Sequence, residues 1–305
     1  MTAHVCLATF NGERWLREQI ESICAQSHAD WRLWISDHGS EDGTVEIARE
    51  FNSLDERVEL LPSDAPAGGP AENFQYLLTT LADTGLATDD AVFLCDQDDH
   101  WDSRKLERQI AILNSADATF ADLVYLSETG VPSDQRVLPT LKAVFPTTVE
   151  SLLAQNSVVG CTLGFRSAVL DLALPFPEGL VNHDWWLALC ALCLGELAFV
   201  DEPLVAYRQH ADNAVGGSRP WRQLLSLPSR AQRQKRVLVS QVEGARLLRA
   251  RLEERSLAVP EALKRYVRVM GKDSGFQRAM ALRSGEFAAP SLGVRVLRTL
   301  AALRI

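Results

Sequence analysis

The chain has 305 residues, 47% of them hydrophobic, with mean hydropathy near zero, so it can bury a large core and is no disordered tail. Its net charge of −9 joins two unlike parts: residues 1–217 hold 12 of the 31 Lys+Arg and 34 of the 40 Asp+Glu, a balance of −22, and residues 218–305 carry +13. The acidic part argues against nucleic acid as its substrate, while the basic tail suits an anionic surface such as the phospholipid side of a membrane.

The opening MTAHVCLATFNGERW lacks the charged-then-apolar pattern of a signal peptide. The longest wholly apolar run, WWLALCALCL, has ten residues, far short of the roughly 20 that span a bilayer. The six cysteines (6, 24, 95, 161, 190, 193) sit among apolar neighbours, and the C-x-x-C at 190–193 has no second pair to complete a zinc site. Reduced, mostly buried thiols in a cytosolic protein are the expectation.

In chain order, HVCLAT (4–9), WRLWIS (31–36), VELL (58–61) and AVFLC (91–95) are short, apolar-rich and followed by turn residues, which predicts strands. Between them, ERWLREQIESICAQ sets Leu16, Ile20, Ile23 and Cys24 on one helical face. SEDGTVEIAREF offers Asp42 or Thr44 as a helix cap, and AENFQYLLTTLA is a further helix. Strand–helix alternation at this spacing means an α/β fold with a mostly parallel sheet wrapped by helices. Ligands of such sheets bind beyond the carboxyl ends of the strands, so Asp37 after the second strand and Asp96 after the fourth would face one crevice. From 116 to 217 the pattern is mixed, with a strand near 121–126, an apolar stretch near 158–165 and a helix from about 183. Residues 218–305 show no strand candidates. Leu238, Val242, Ala245, Leu248 and Leu252 form one amphipathic stripe there, and Leu263, Val267 and Met270 another, which reads as a separate helical segment.

FLCDQDDHWD (93–102) follows an apolar run with Asp96, Asp98 and Asp99 inside four positions. Their mutual repulsion makes sense if a divalent cation binds there, since Mg²⁺ and Mn²⁺ take carboxylates together with substrate phosphates. A solvated acidic loop is the alternative. Asp37, in WISDHGSEDGT, can accept a hydrogen bond from a base or ribose, or simply serve turn chemistry. Asp184, in LVNHDWWLAL, stands at the start of an apolar helix. It is either an N-cap or a general base whose pKa is raised by Trp185 and Trp186 excluding water. In YRQHADN, Arg208 suits a diphosphate and His210 a metal of the Mn²⁺ kind.

Taken in order, ATFNGERWLREQIESICAQSHADW, SDHGSEDGT, NFQYLL, LCDQDDHWDSRKLE, NSVVGCTLGF, HDWWLAL and YRQHADNAVGG resemble the family 2 glycosyltransferases, which have the GT-A fold. The resemblance covers residues 4–217 and is loosest between about 115 and 150. CDQDDHW with GCT, HDWW and YRQHADN looks most like bacterial rhamnosyltransferases of surface-polysaccharide assembly.

The resemblance implies two halves, a nucleotide-sugar-binding half over 1–115 and an acceptor and catalytic half over 116–217, which the basic helical segment over 218–305 follows. It makes Asp96, Gln97 and Asp98 the D-x-D motif, with Asp98 the best ligand for Mg²⁺ or Mn²⁺, Asp96 nearer the ribose or metal, and His210 helping to hold metal or diphosphate. Asp184 matches the catalytic base of inverting members, and Arg208 would stabilise the departing diphosphate. Thr9, Asn11, Glu13 and Asp37 lie where the family cradles the nucleoside, and Trp185 and Trp186 could stack on acceptor sugar or pack. The implied donor is a nucleotide-sugar, dTDP-L-rhamnose, and the implied acceptor a saccharide, lipid-linked at a cytoplasmic membrane face.

One departure stands out: the family usually has a second aspartate after strand two, and here it is His38. That keeps open a non-catalytic nucleotide- or glycan-binding relative. A carboxylate-metal phosphohydrolase is a third reading, but it lacks the nucleophilic Asp expected after the first strand. For the tail, attachment to anionic lipid stands beside a helical extension that packs on the body or pairs two chains.

Overall fold

The computed structural model describes residues 1–62, 68–139, 145, 147–210, 227–285 and 287–303, with the side chains of 227–230 left aside. The end of the YRQHADNAVGG motif (211–217) and the first residues of the tail (218–226) lie outside them.

Among the described residues nine strands form one sheet: β1 (Ala3–Thr9), β2 (Trp31–Asp37), β3 (Val58–Leu60), β4 (Ala91–Asp96), β5 (His100–Trp101), β6 (Ala118–Leu126), β7 (Pro132–Arg136), β8 (Leu163–Arg166) and β9 (Leu197–Arg208). The order is β3-β2-β1-β4-β8-β6-β9-β5, with β7 paired to β6. β3, β2, β1 and β4 run parallel; β8 lies antiparallel between β4 and β6, and β9 runs parallel to β6. The parallel block is where strand–helix alternation predicts it. The register pairs Thr9 with Asp37 and Ala8 with Asp96, so three expected site residues end neighbouring strands at one edge. β1, with β2 on one side and β4 on the other, is the point at which chain order reverses and a crevice opens.

The helices of the body are α1 (Leu16–Cys24), α2 (Thr44–Leu54), α3 (Pro70–Asp83), α4 (Lys105–Leu113), α5 (Val149–Ala154), α6 (Ala168–Ala173) and α7 (His183–Leu194). α3 starts with Pro70 at its first position, where a missing N–H costs nothing, and Glu72 accepts the Gly69 N–H at 2.8 Å. α7 is apolar all round and is buried all round: Trp185 through Ala191 are fully covered.

The tail forms α8 (Leu227–Glu254), α9 (Glu261–Met270), α10 (Gly275–Ser284) and α11 (Leu292–Ala302). These helices share one core with the body, the arrangement of the alternative in which the tail packs on it. The predicted stripe Leu238, Val242, Ala245, Leu248 and Leu252 is buried. Gly244 lets α8 close onto α7, since a Cβ there would lie 3.2 Å from the Trp185 ring. Arg251 donates to the carbonyls of Leu172, Ala173 and Pro175 at 2.6–3.0 Å, satisfying the exposed end of α6, and Arg298 donates to Leu153 O at 2.8 Å. All six cysteines are free thiols, four buried and two partly so.

Candidate active site

The turns after β1 and β2 are laced together by short polar side chains. Thr9 Oγ1 donates to Asp37 Oδ1 at 2.8 Å, and Asp37 also accepts from the Ser40 amide and hydroxyl. Asn11, held at a positive φ of 48°, donates its N–H to Ser40 Oγ and accepts the Glu41 N–H. Glu13 accepts the Gly43 N–H at 3.0 Å. Thr9, Asn11, Glu13 and Asp37 therefore stand together at the strand ends, binding one loop to the other. His38 Nε2 accepts the Gly68 N–H at 2.8 Å and so ties this edge to the start of α3, while the half-exposed Phe10 ring stands edge-on to it.

Gln97 clasps the backbone of Phe10, donating to its carbonyl and accepting its N–H, both at 2.8 Å. A Cβ at residue 12 would fall 2.3 Å from Gln97 Oε1, so only glycine permits this clasp. Across the acidic loop, Asp98 Oδ2 and His210 Nε2 lie 2.7 Å apart, with the Trp15 ring stacked on the imidazole at 4.1 Å. Asp99 points the other way. It is fully buried, accepts the Arg208 N–H at 3.1 Å and bonds the Cys161 thiol.

Arg208, expected at the diphosphate, has a guanidinium that is 1% exposed; Nε donates to Asp98 O at 2.8 Å and an Nη pairs with Glu18 at 2.7 Å. As the last residue of β9 it lies behind the acidic loop, where unpaired carbonyls need donors, and it holds that loop's shape. Trp185 and Trp186, for which sugar stacking and packing were both open, are fully buried, and their indole N–H groups donate to Leu152 O and Ala173 O, the arrangement of the packing alternative.

Asp184 opens α7 and reaches the crevice from the other side, close enough that its charge acts on Asp96. Burial pushes its carboxyl up to about 6, although the Trp185 N–H at 2.7 Å and the side chains of Asn156 and Asn182 favour the ionised form. Beside it His183 stacks on Phe74 at 4.3 Å, and burial lowers that imidazole to about 4, so it is neutral. Such a carboxylate is suited to take a proton near neutral pH.

Burial first, then the charges of Asp98 and Asp184, push Asp96 well above the usual carboxylate range, and Asp99 is raised by burial and by Asp98 and Asp96. Beneath them the buried Lys105 ammonium lies 3.8 Å over Trp101 and 5.0 Å over Phe93, lowered to about 7 by burial. Carboxyls crowded closely enough to oppose one another's ionisation fit a divalent cation, which would favour their charged forms. The groups that could hold one are the carboxylates of Asp96 and Asp98, hard oxygen donors, with the His210 imidazole as a borderline nitrogen donor. Asp96, Asp99 and Cys161 also bring ligand atoms within 4.8 Å, but burial and the neighbouring carboxylates hold the Cys161 thiol protonated, which makes it a poor ligand.

The residues that sequence reasoning passed over are Trp15, Glu18, Phe74, Asn156, Asn182 and His183. Asn182 and His183 carried a local signal, their adjacency to Asp184; the others reach the site from distant parts of the chain.

The glycosyl transferase family 2 model matches residues 4–170, more than half of the chain. The chain belongs to this family. Among curated family members, the dTDP-rhamnosyl transferase RfbG of Shigella flexneri is 30% identical over 226 residues, 70% of this chain and 74% of that protein. The putative teichuronic acid biosynthesis glycosyltransferase TuaG of Bacillus subtilis (strain 168) is 25% identical over 218 residues, 70% of this chain and 81% of its own. The fold is GT-A. S. aureus TarS 1–349 in complex with UDP-GlcNAc superposes with a TM-score of 0.57 at 15% identity, over 98% of this chain and 90% of that one. The mannosyltransferase PcManGT from Pyrobaculum calidifontis, in complex with GDP-Man and Mn²⁺, gives 0.56 at 14% identity over 99% and 86%. This family 2 protein is a glycosyltransferase.

Proposed function

We propose that this glycosyltransferase is a metal-dependent inverting enzyme that moves L-rhamnose from dTDP-L-rhamnose to a saccharide acceptor of a bacterial surface polysaccharide. The observation that carries the mechanism is Asp184, its carboxyl raised to about 6 and set across the crevice from the acidic loop of Asp96 and Asp98. A nucleotide-sugar donor is supported by the GT-A neighbours in complex with UDP-GlcNAc and GDP-Man, and rhamnose by the likeness to RfbG.

Asp184 takes the proton of an acceptor hydroxyl as its oxygen attacks the anomeric carbon. The bond from that carbon to the nucleoside diphosphate breaks on the opposite face, so the configuration inverts. Asn156, Asn182 and the Trp185 N–H orient the carboxylate, and neutral His183 beside it adds no charge that would suppress its basicity. Asp96, Asp98 and His210 would hold Mg²⁺ or Mn²⁺, which supplies positive charge for the departing diphosphate. Arg208 and Glu18 keep Asp98 in position, and Thr9, Asn11, Glu13, Asp37, His38 and Gln97 shape the nucleoside side of the crevice.

No described helix is long and apolar enough to cross a membrane. The balance of +13 over residues 218–305 supports peripheral attachment to the anionic cytoplasmic leaflet, beside a lipid-linked acceptor.

The test is calorimetric titration of dTDP and of UDP, each with Mn²⁺ and with EDTA, followed by transfer assays on Asp184→Asn and Asp98→Ala. Metal-dependent preference for dTDP, with transfer lost in both variants, is the expected result. Undiminished transfer in either variant overturns the mechanism.

A further inference from the structure

The α10–α11 hairpin is built unlike the rest of the surface. α11 and its first following residue expose Leu292 (70%), Val296 (49%), Leu300 (45%) and Leu303 (49%), spaced four, four and three apart, one stripe along a helix. Its other face, with Arg298, Ala301 and Ala302, is buried. α10 adds Phe276 (68%) and Met280 (42%), one turn apart. A Cβ at Gly275, where α10 begins, would lie 2.9 Å from Leu303 O, so the helices run antiparallel and Phe276 stands at the Leu303 end of the stripe. Neither helix contains an acidic residue. Their charges are Arg278, Arg283, Arg295 and Arg298; Arg278 and Arg298 are buried, bonded to backbone carbonyls, and Arg283 is exposed.

Large apolar side chains gathered on one surface mark an interaction site, whereas scattered ones do not. The charge selects the occupant. A second copy seated here would bring one +13 segment against another, with no acidic side chain in either helix to offset it. An anionic lipid leaflet offers hydrocarbon for the stripe and phosphates for the exposed Arg283 and the partly exposed Arg295. Resting on the peripheral-membrane reading above, we infer that the α11 stripe, with Phe276 and Met280, lies in the plane of an anionic phospholipid surface and inserts shallowly into it. The basic tail then acts at two ranges: its net charge draws the protein to the leaflet, and the hairpin fixes it there.

The experiment floats the full-length protein with vesicles of phosphatidylglycerol and phosphatidylcholine, and with phosphatidylcholine alone, at low salt. It compares the wild type with Leu292→Ser/Val296→Ser/Leu300→Ser, the single Leu292→Ser and the apolar set Leu292→Ile/Val296→Leu/Leu300→Ile. The wild type is expected to float with anionic vesicles, the triple serine variant to bind roughly tenfold or more weakly, and the apolar set to recover binding. Thermal unfolding of each variant checks the fold, and the single serine variant, expected to bind measurably more weakly, keeps the test decisive if the triple one unfolds. Unchanged binding by folded serine variants overturns the stripe as the insertion surface while leaving peripheral attachment standing. A wild type that ignores anionic vesicles removes both. If ultracentrifugation shows a wild-type dimer that the serine variants split, with vesicle binding unchanged, the face is a contact between copies and the inference fails.

Discussion

At the carboxyl ends of β1, β2 and β4 the molecule buries charge, whereas along α10 and α11 it exposes hydrocarbon. In and behind the crevice Asp37, Asp99, Arg208 and His210 are each at most 6% exposed, and each has a polar partner. In the hairpin six large apolar side chains are at least 42% exposed. Both arrangements are costly for an isolated folded chain: the first takes ions out of water, and the second leaves apolar area in it. Such departures from ordinary burial mark where a chain meets something else, and their opposite chemistry points to opposite ligands. Clustered carboxylates suit the proposed cation and diphosphate, and the apolar stripe near Arg283 suits the inferred lipid surface.

The comparison is sharpened by mutation. The largest effect is expected from Asp184→Asn, which removes the base but keeps shape and hydrogen bonding. Transfer should fall by about 10²–10⁴ with dTDP binding by calorimetry unchanged. Next comes Trp186→Ala in the wall behind the site. As a fully buried side chain it should cost about 3–5 kcal/mol in denaturant unfolding, and in the folded fraction the acceptor KM should stay near the wild-type value. A large KM change with unaltered stability would restore the acceptor-stacking role.

Arg208→Lys loses the planar fork that joins Asp98 O to Glu18. Metal-dependent donor affinity is expected to drop by roughly tenfold to a hundredfold, read by titration in Mn²⁺ and absent in EDTA. The pH profile follows from the raised carboxyl of Asp184. A base works only when ionised, so kcat/KM should climb with pH below about 6 and level off above it, and Asp184→Asn should abolish that limb. The smallest effect belongs to the exposed surface: breaking the Arg249–Glu253 pair on α8 with Arg249→Gln should change stability by less than about 0.5 kcal/mol in thermal unfolding.

Much of the fold and the outline of the site are written locally. Apolar runs with period-two or fully buried character, closed by turn residues, mark β1, β2 and β4, and sheet geometry alone then brings Thr9, Asp37 and Asp96 to one edge. The parallel block, the acidic loop and Asp184 at the head of an apolar helix were legible for that reason. Arg208 and the two tryptophans were not, because the direction of a side chain is decided by the element packed against it. WWLALCALCL did announce a helix buried on every side, which already disfavours an indole facing sugar.

The sharpest limit is a pair of stripes. Leu238, Val242, Ala245, Leu248 and Leu252 on α8 and Leu292, Val296, Leu300 and Leu303 on α11 share the same helical periodicity. One is buried on the body and the other faces outward. By itself the sequence determined that both helices are amphipathic, since periodicity is a property of one element. Only the tertiary structure decided which face found a partner inside the chain, because burial depends on contacts between residues distant in sequence, and no local pattern records them.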